Sequence, residues 1–283
     1  MGSGSGGNVT LVSTEDTQVL IDAGLSCREI CRRLSHLGVN PENIDAIIIT
    51  HAHGDHTRGA RVFSRRYHVP VYTTLCILDE WGVKDLHEWR ELRPDDIEAI
   101  GALSFQSLVI PHDASETLAF RINTPDGIIG FATDIGVITS ELVALFRECR
   151  VLVMESNHAT DLLRVSPYSL AMRTRIASSQ GHLSNEALAD FIRNHLGESV
   201  HYIVLVHLSR VNNAPAIAEL TCREALADSG REDVRTVMTF QDKVAQTIHL
   251  AATGIKKMRA ENFLQGGLPF SETTNAQMTE TRR

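Results

Sequence analysis

No apolar stretch among the 283 residues approaches the roughly 20 that span a bilayer, so no transmembrane helix is expected. The opening, MGSGSGGN, has neither a basic region nor an apolar one, so no secretory leader is expected there. Cysteine is scarce and odd in number: five residues, at 27, 31, 76, 149 and 222, with no C-x-x-C pair. That argues against a zinc ribbon or a redox dithiol and fits a reduced, cytoplasmic protein. Positive charge is in deficit. A formal net charge of −8 argues against a chain coated in phosphate-binding surface but leaves room for a local basic patch. No internal repeat is present. Hydrophobic content of 43% and charged content of 22% are ordinary for a globular protein long enough to bury a full core. What the chain has in excess is histidine, thirteen residues in all, so their placement carries the information.

Strand and helix patterns alternate along the chain. VTLVS and TQVLID read as two strands joined at Thr14 to Asp16, and a helix from Ser26 to Leu37 opens on a capping-box pattern and stops at Gly38. The run Ile44 to Ile49 reads as a buried strand, TRGARVFSRRYH as a basic helix, and VPVYTT as a short strand. LSFQSLVI, ETLAFRIN and GIIGFAT follow as strands, SELVALFREC as a helix and RVLVMES as a strand. Helices are then expected at Ser166 to Ser178 and Ser184 to His195, the strand HYIVLVHLS next, and a last helix ending at Gly230. This places one domain over residues 1–263. Residues 264–283 are polar and aperiodic and are expected to be a flexible tail.

Several strands end alike: an apolar run stops and a metal-competent residue follows. Asp22 follows VLI, and His51, His53, Asp55 and His56 follow III. His112 follows LVIP, Asp134 follows GFAT, Glu155 follows LVM, and His207 follows IVLV. Strand ends in an α/β sheet converge on one edge, where ligands bind. Singly, each residue has a bland explanation as a turn or a satisfied polar group. Six strands ending this way by accident do not. Within H-x-H-x-D-H, alternation turns His51 and His53 to one side. Asp55 and His56, past Gly54, then face a second position, as a two-metal site needs. His112, Asp134 and His207 are the distant groups that complete it, and an Asp can bridge two ions.

These residues, in this order, resemble the metallo-β-lactamase superfamily. The resemblance covers residues 3 to 250 and implies an α/β fold, the αββα four-layer sandwich. It gives one metal to His51, His53 and His112, the other to Asp55, His56 and His207, and a bridge to Asp134, with Asp22 orienting a ligand from behind. The donors suit two divalent ions, zinc or manganese, with iron also tolerated.

Superfamily membership does not fix the substrate. Glu155 in MESNH and His182 in SSQGHLSN resemble a pair in RNase Z-like phosphodiesterases. The opening GSGSGGN and the segment TRIASSQGHLSN resemble the YycJ/WalJ-type exonuclease branch. The opening also reads as a linker; as a native start it is abrupt enough to imply a missing first strand. Only 72 residues lie between Asp134 and His207, too few for a β-CASP insert. The resemblance implies a dinuclear phosphodiesterase, a 5′-exonuclease on DNA or RNA, in which hydroxide attacks phosphorus. Asp55, Glu155 and His182 are then the catalytic candidates, with His182 as general acid and Glu155 orienting it. Arg173, Arg175, Ser184 and Asn185 are candidates for holding a 5′-phosphorylated end. Arg61, Arg65 and Arg66 read as a solvated helix face. His36, His68, His87, His195, His201 and His249 read as structural, and His158 as a turn residue within reach of substrate. The alternative is a small-molecule hydrolase, a lactonase or glyoxalase II-like thioesterase, which needs the metals but neither Glu155 nor His182. The sequence leaves the oligomeric state open.

Overall fold

The structure is a computed structural model that describes residues 1–251; the expected tail, 264–283, and the end of the expected domain lie outside the described residues. Five strands form one sheet in chain order: β1 (Thr10–Ser13), β2 (Gln18–Ile21), β3 (Ala46–Ile48), β4 (Val71–Thr73) and β5 (Trp89–Glu91). Seven form the other: β6 (Ile97–Ile100), β7 (Leu103–Ile110), β8 (Thr117–Thr124), β9 (Gly127–Ala132), β10 (Val151–Glu155), β11 (Tyr202–Val206) and β12 (Arg235–Met238), in the order 12-11-10-9-8-7-6. β2 to β5 run parallel, as do β9 to β12, and antiparallel hairpins occupy the far edges. The helices are α1 (Cys27–His36), α2 (Gly54–Thr57), α3 (Ala60–Tyr67), α4 (Leu75–Trp81), α5 (Ser140–Phe146), α6 (Thr160–Arg164), α7 (Leu170–Ile176), α8 (Asn185–His195) and α9 (Pro215–Asp228).

Alternation along the strands separates the layers. Val151 and Val153 of β10, and Tyr202, Val204 and Val206 of β11, join the first sheet in one core, together with Ile30 and Leu34 of α1 and Phe63 of α3. Their neighbours Leu152, Met154, Ile203 and Leu205 face the opposite way and pack with Phe146 of α5, Ile192 of α8 and Leu226 of α9. The period of two thus puts sheet against sheet and helices on both outer faces, the expected four-layer αββα sandwich. Among the described residues no helix is long and apolar enough to cross a membrane.

The differences from the sequence reading are local. The strand expected at Ile44 to Ile49 is only Ala46–Ile48; just ahead of it the Asp45 amide still donates to the Gln18 carbonyl at 2.8 Å, while the Gln18 amide is taken by the Asp45 carboxylate at 2.7 Å. The basic helix breaks in two at Gly59, where a Cβ would lie 2.1 Å from the Leu25 carbonyl. The helix expected from Ser166 begins at Leu170 because Ser169 is the residue whose side chain caps it. The capping box at Ser26 is half formed. Ser26 accepts from Glu29 N, but the Glu29 carboxylate turns to Arg32 and the buried Arg33. Strands β5, β6 and β12 and helices α4 and α6 went unanticipated.

Candidate metal centre

The parallel strands of both sheets deliver their C-terminal ends to one place. Asp22 follows β2, Thr50 and His51 follow β3, Asp134 follows β9, Glu155 ends β10 and His207 follows β11. Three of these, Asp22, Asp134 and His207, sit at φ of 60°, 56° and 57°. Left-handed backbone costs a non-glycine residue on the order of 1 kcal/mol or more. Here it falls just past the end of each strand, at a residue of the site itself. The H-x-H-x-D-H segment is not all loop: Gly54 to Thr57 is the helical turn α2, with His53 at its N-cap position.

Hydrogen bonds decide which atom each histidine presents. Thr50 donates to Asp22 from N at 2.9 Å and from Oγ1 at 3.0 Å. Its oxygen is thereby free to accept from His51 Nδ1 at 3.0 Å. His56 Nδ1 donates to Asp22 Oδ2 at 2.7 Å, His112 Nδ1 to the Gly181 carbonyl at 2.8 Å, and His207 Nδ1 to Glu155 Oε1 at 2.8 Å. An acceptor opposite Nδ1 fixes the proton there and leaves Nε2 as a bare lone pair. The Nε2 atoms of His51, His112 and His207, with Asp134 Oδ2, are buried and have no hydrogen-bond partner. Each such atom costs about 1–3 kcal/mol if nothing meets it. They fit divalent cations.

The donor atoms gather into sets within 4.8 Å: His51, His53 and His112; Asp55, His56 and His207; and His51, His56 and Asp134, the last spanning the first two. His56 Nε2 lies 3.2 Å from Asp134 Oδ2. A lone pair and a carboxylate at that distance need a cation between them, either a proton or a metal. Burial pulls the His56 pKa down, but the charges of Asp22 and Asp134 hold it up at about 10. His51 has no comparable partner: burial and the neighbouring His56 hold it well below the ordinary range. Burial would raise Asp134, yet the cationic His207 and His56 keep it far below the usual carboxylate range.

Glu155 is wholly buried at the end of β10. Its Oε1 accepts from His182 Nδ1 and from His207 Nδ1, both at 2.8 Å. Its Oε2 accepts from the backbone of Ile135 at 2.7 Å and Leu183 at 3.0 Å. One carboxylate therefore orients a metal-competent histidine and His182 together. Burial opposes ionisation of Glu155, but His182 and the remaining hydrogen bonds hold its pKa at about 2. In return the Glu155 charge outweighs burial at His182 and raises it. With Nδ1 engaged, His182 directs Nε2 away from Glu155, and the residue lines a cavity of about 310 Å³.

That cavity is also lined by Ser5, Asp113, Asn157, Arg175 and Ser209. Arg175 pairs with Asp113 through Nε and a terminal nitrogen. The other three substrate-binding candidates are occupied elsewhere. Arg173 donates to the Arg164 carbonyl. Ser184 caps α8 by accepting from Ala187 N. Asn185 is 2% exposed, its amide N donates to the His158 carbonyl, and its side chain bonds Ser156 and Asn213. The fold uses Arg173, Ser184 and Asn185 and does not turn them toward the cavity. His158 is buried beside Ser184 and outside the cavity lining. Arg61 and Arg65 are paired with Asp85 on the surface, a solvated face as expected.

Two contributors were missed. Asp113 lies 3.1 Å from His112 Nε2 and 3.8 Å from His53 Nε2; its signal was simply its place after His112. The other is the glycine-rich start. Ser3 Oγ accepts from His207 N at 2.7 Å, and the buried Asn8 collects Ser3 Oγ and Gly4 N on its Oδ1. Asn8 Nδ2 stands 3.0 Å from His56 Nε2 and 3.4 Å from Asp55 Oδ2. Gly24 permits this, since a Cβ there would fall 1.6 Å from the Asp55 carbonyl oxygen. A segment that also reads as a linker thus forms one wall of the centre. The N-terminal pairing it makes is an isolated bridge between Gly2 and Val9.

Comparison with known proteins agrees with this geometry. The profile of the β-lactamase superfamily domain matches residues 17–208. Exodeoxyribonuclease WalJ of Streptococcus pneumoniae is 31% identical over 235 residues, covering 81% of this chain and 87% of the relative. Exodeoxyribonuclease YycJ of Bacillus anthracis is 28% identical over 238 residues, covering 81% and 89%. Among solved structures, the metallo-β-lactamase fold protein YhfI from Bacillus subtilis superposes with a TM-score of 0.67 at 14% identity, over 87% of this chain and 97% of that one.

Proposed function

The chain belongs to the β-lactamase superfamily, in the branch of the YycJ and WalJ exodeoxyribonucleases, and from that premise we propose that it is a metal-dependent phosphodiesterase acting at the 5′ end of nucleic acid. The observation that carries this reading is the similarity to those exodeoxyribonucleases over 81% of the chain. In this reading His51, His53 and His112 hold one divalent ion, Asp55, His56 and His207 a second, and Asp134 is shared, with zinc, manganese or iron suited to five imidazoles and two carboxylates. Two cations so held supply Lewis acidity, making water acidic enough to ionise near neutral pH and offsetting charge on the phosphoryl oxygens.

The chain's own groups do the rest. Asp22 and Thr50 fix the His56 and His51 rings, and Glu155 fixes His207. His182, its pKa raised by the Glu155 charge against the effect of burial, gives its Nε2 proton to the departing 3′-oxygen, because an alkoxide is a poor leaving group. Arg175 exchanges its Asp113 partner for a phosphate oxygen at the chain end. A cytoplasmic setting accords with five unpaired cysteines, which a reducing compartment preserves.

Asn8 should tune the second position. Its amide lies 3.4 Å from Asp55 Oδ2 and its Oδ1 holds Ser3 against the His207 backbone, both at residues of the second position, and loss of a partner that orients ligands costs about 10- to 100-fold in metal affinity. Asn8→Ala is expected to weaken the second of two metal-binding steps by that factor and leave the first unchanged, as read by calorimetric titration of the stripped protein. Equal weakening of both steps, or of neither, contradicts the assignment.

The function itself is tested by digesting 5′-phosphorylated and 5′-hydroxyl oligonucleotides of DNA and RNA, beside a lactone and a thioester. The reading expects nucleotide release from the 5′ end, faster with the phosphate. With a net charge of −8, it also expects a salt dependence of fewer than about six phosphate contacts. Activity confined to the lactone or thioester would favour the small-molecule alternative, to which His182 contributes nothing and Glu155 only its hold on His207.

A further inference from the structure

Helix α7 is out of keeping with the rest of the molecule: none of its residues is buried. Yet Tyr168, Met172, Arg175 and Ile176 fall at i, i+4, i+7 and i+8, the spacing that lines up one face of a helix and its approach. Such a stripe ordinarily packs into a core. Here all four residues line the cavity that holds His182, and Tyr168 and Met172 remain 39% and 40% exposed. The stripe carries three apolar side chains and one cation. The cation lies toward the metal-centre side, where Asp113 reaches from Arg175 to His112. The lining also includes the small polar residues Ser5, Asn157 and Ser209. An apolar helix face with an aromatic ring, a guanidinium on the same face and polar groups in the same cavity match the parts of one nucleotide. At about 310 Å³ the cavity is at the small end of ligand sites, enough for a single residue of a chain and too small for a duplex.

We propose that the Tyr168, Met172 and Ile176 face of α7 is a nucleobase subsite, on which the terminal base of the substrate stacks while Arg175 takes its phosphate. The proposal rests on the nuclease reading above and adds to it the residues that hold the base. Stacking on an aromatic ring tolerates every base, because each has a π face. The subsite therefore gives affinity for an end without sequence preference. It also asks that the last base be unpaired when it enters.

The test uses metal-loaded full-length protein and two 5′-phosphorylated oligonucleotides of one sequence, one with a terminal base and one with an abasic tetrahydrofuran residue in its place. The wild type should show a KM about 5- to 150-fold lower for the base-bearing end, the effect of one stacked base. Tyr168→Ala should lose that preference and Tyr168→Phe keep it, while metal content and circular dichroism stay the same in all three. A phosphorothioate-linked strand carrying terminal 2-aminopurine gives a readout apart from turnover: quenching on binding to the wild type and to Tyr168→Phe, none with Tyr168→Ala. A wild type that treats both ends alike, or a Tyr168→Ala variant that keeps the preference or the quenching, overturns the subsite alone. A wild type that cleaves neither oligonucleotide overturns the nuclease reading and the subsite with it. If Tyr168→Ala instead changes the sedimentation coefficient and leaves both ends alike, the face is a contact between copies of the chain and the proposal falls.

Discussion

Asp134→Ala is expected to lower hydrolysis of every substrate by roughly 10³-fold or more while leaving the fold intact. Among the described residues, Asp134 is the carboxylate whose oxygens face donors of both proposed cation positions: Oδ2 is 3.2 Å from His56 Nε2, and Oδ1 is 3.7 Å from His112 Nε2. The charge stabilisation that two metals lend a transition state amounts to several kcal/mol, and at about 1.4 kcal/mol per decade that gives the stated factor. The fold should survive because the left-handed turn at Asp134 is framed by neighbours that do not depend on its side chain. The Ile135 amide is held by Glu155, and the Gly136 amide donates to the Pro111 carbonyl at 2.7 Å. Circular dichroism with parallel assays on an oligonucleotide and a p-nitrophenyl ester checks both halves. A folded variant with wild-type turnover would remove Asp134 from the mechanism.

His182→Ala is expected to divide the substrates. Cleavage of DNA or RNA should fall by about 10² to 10⁴, the usual contribution of a general acid. A p-nitrophenyl phosphodiester, whose leaving group needs no proton, should be largely spared. The competing explanation is that His182 merely packs ahead of α8, in which case both substrates suffer alike. Glu155→Gln should not copy this selectivity. Its Oε1 accepts from His182 and His207 at once, and its Oε2 from two backbone amides. An amide NH₂ in place of either oxygen would face N–H donors. Both substrates should therefore lose activity in Glu155→Gln, with weaker metal binding through a misoriented His207. Kinetics of the two variants on the two esters, with metal content measured alongside, separates the roles. Equal losses in His182→Ala at constant metal content would rule out His182 as the acid.

Asp134 and Glu155 were legible because each terminates a buried strand, whereas His182, in the loop before α8, was legible through the resemblance of SSQGHLSN. An apolar run such as IVLV followed by His207 is visible in one dimension, and five more such runs made coincidence untenable. The burial of the central strands was legible too, because YIVLV is apolar at every position; which side chains face which core appears only in the structure. Other features had no one-dimensional trace. β5 and β6 are short and largely exposed edge strands, WRE and IEAI, whose pairing comes from the neighbouring sheet and not from their own pattern. The break between α2 and α3 depends on Gly59 meeting the Leu25 carbonyl, a contact across more than thirty positions of chain. Arg173 and Arg175 look alike in sequence, yet two positions on a helix turn them to different neighbours. The start GSGSGGN has few side chains to read, and its role comes from Asn8 reaching Asp55 and His56 and from the Ser3 hydroxyl accepting from His207 N. The double duty of Glu155 needed β10, β11 and the loop before α8 in one place.

The account stands on two cations sharing one carboxylate. Crystals of metal-loaded protein, measured at the absorption edge of the bound element, test that most directly through an anomalous difference map. Two peaks are predicted in each chain, one against Nε2 of His51, His53 and His112, the other against Asp55 and Nε2 of His56 and His207, both within reach of Asp134. A single peak, or none near His51 in fully loaded protein, would contradict it.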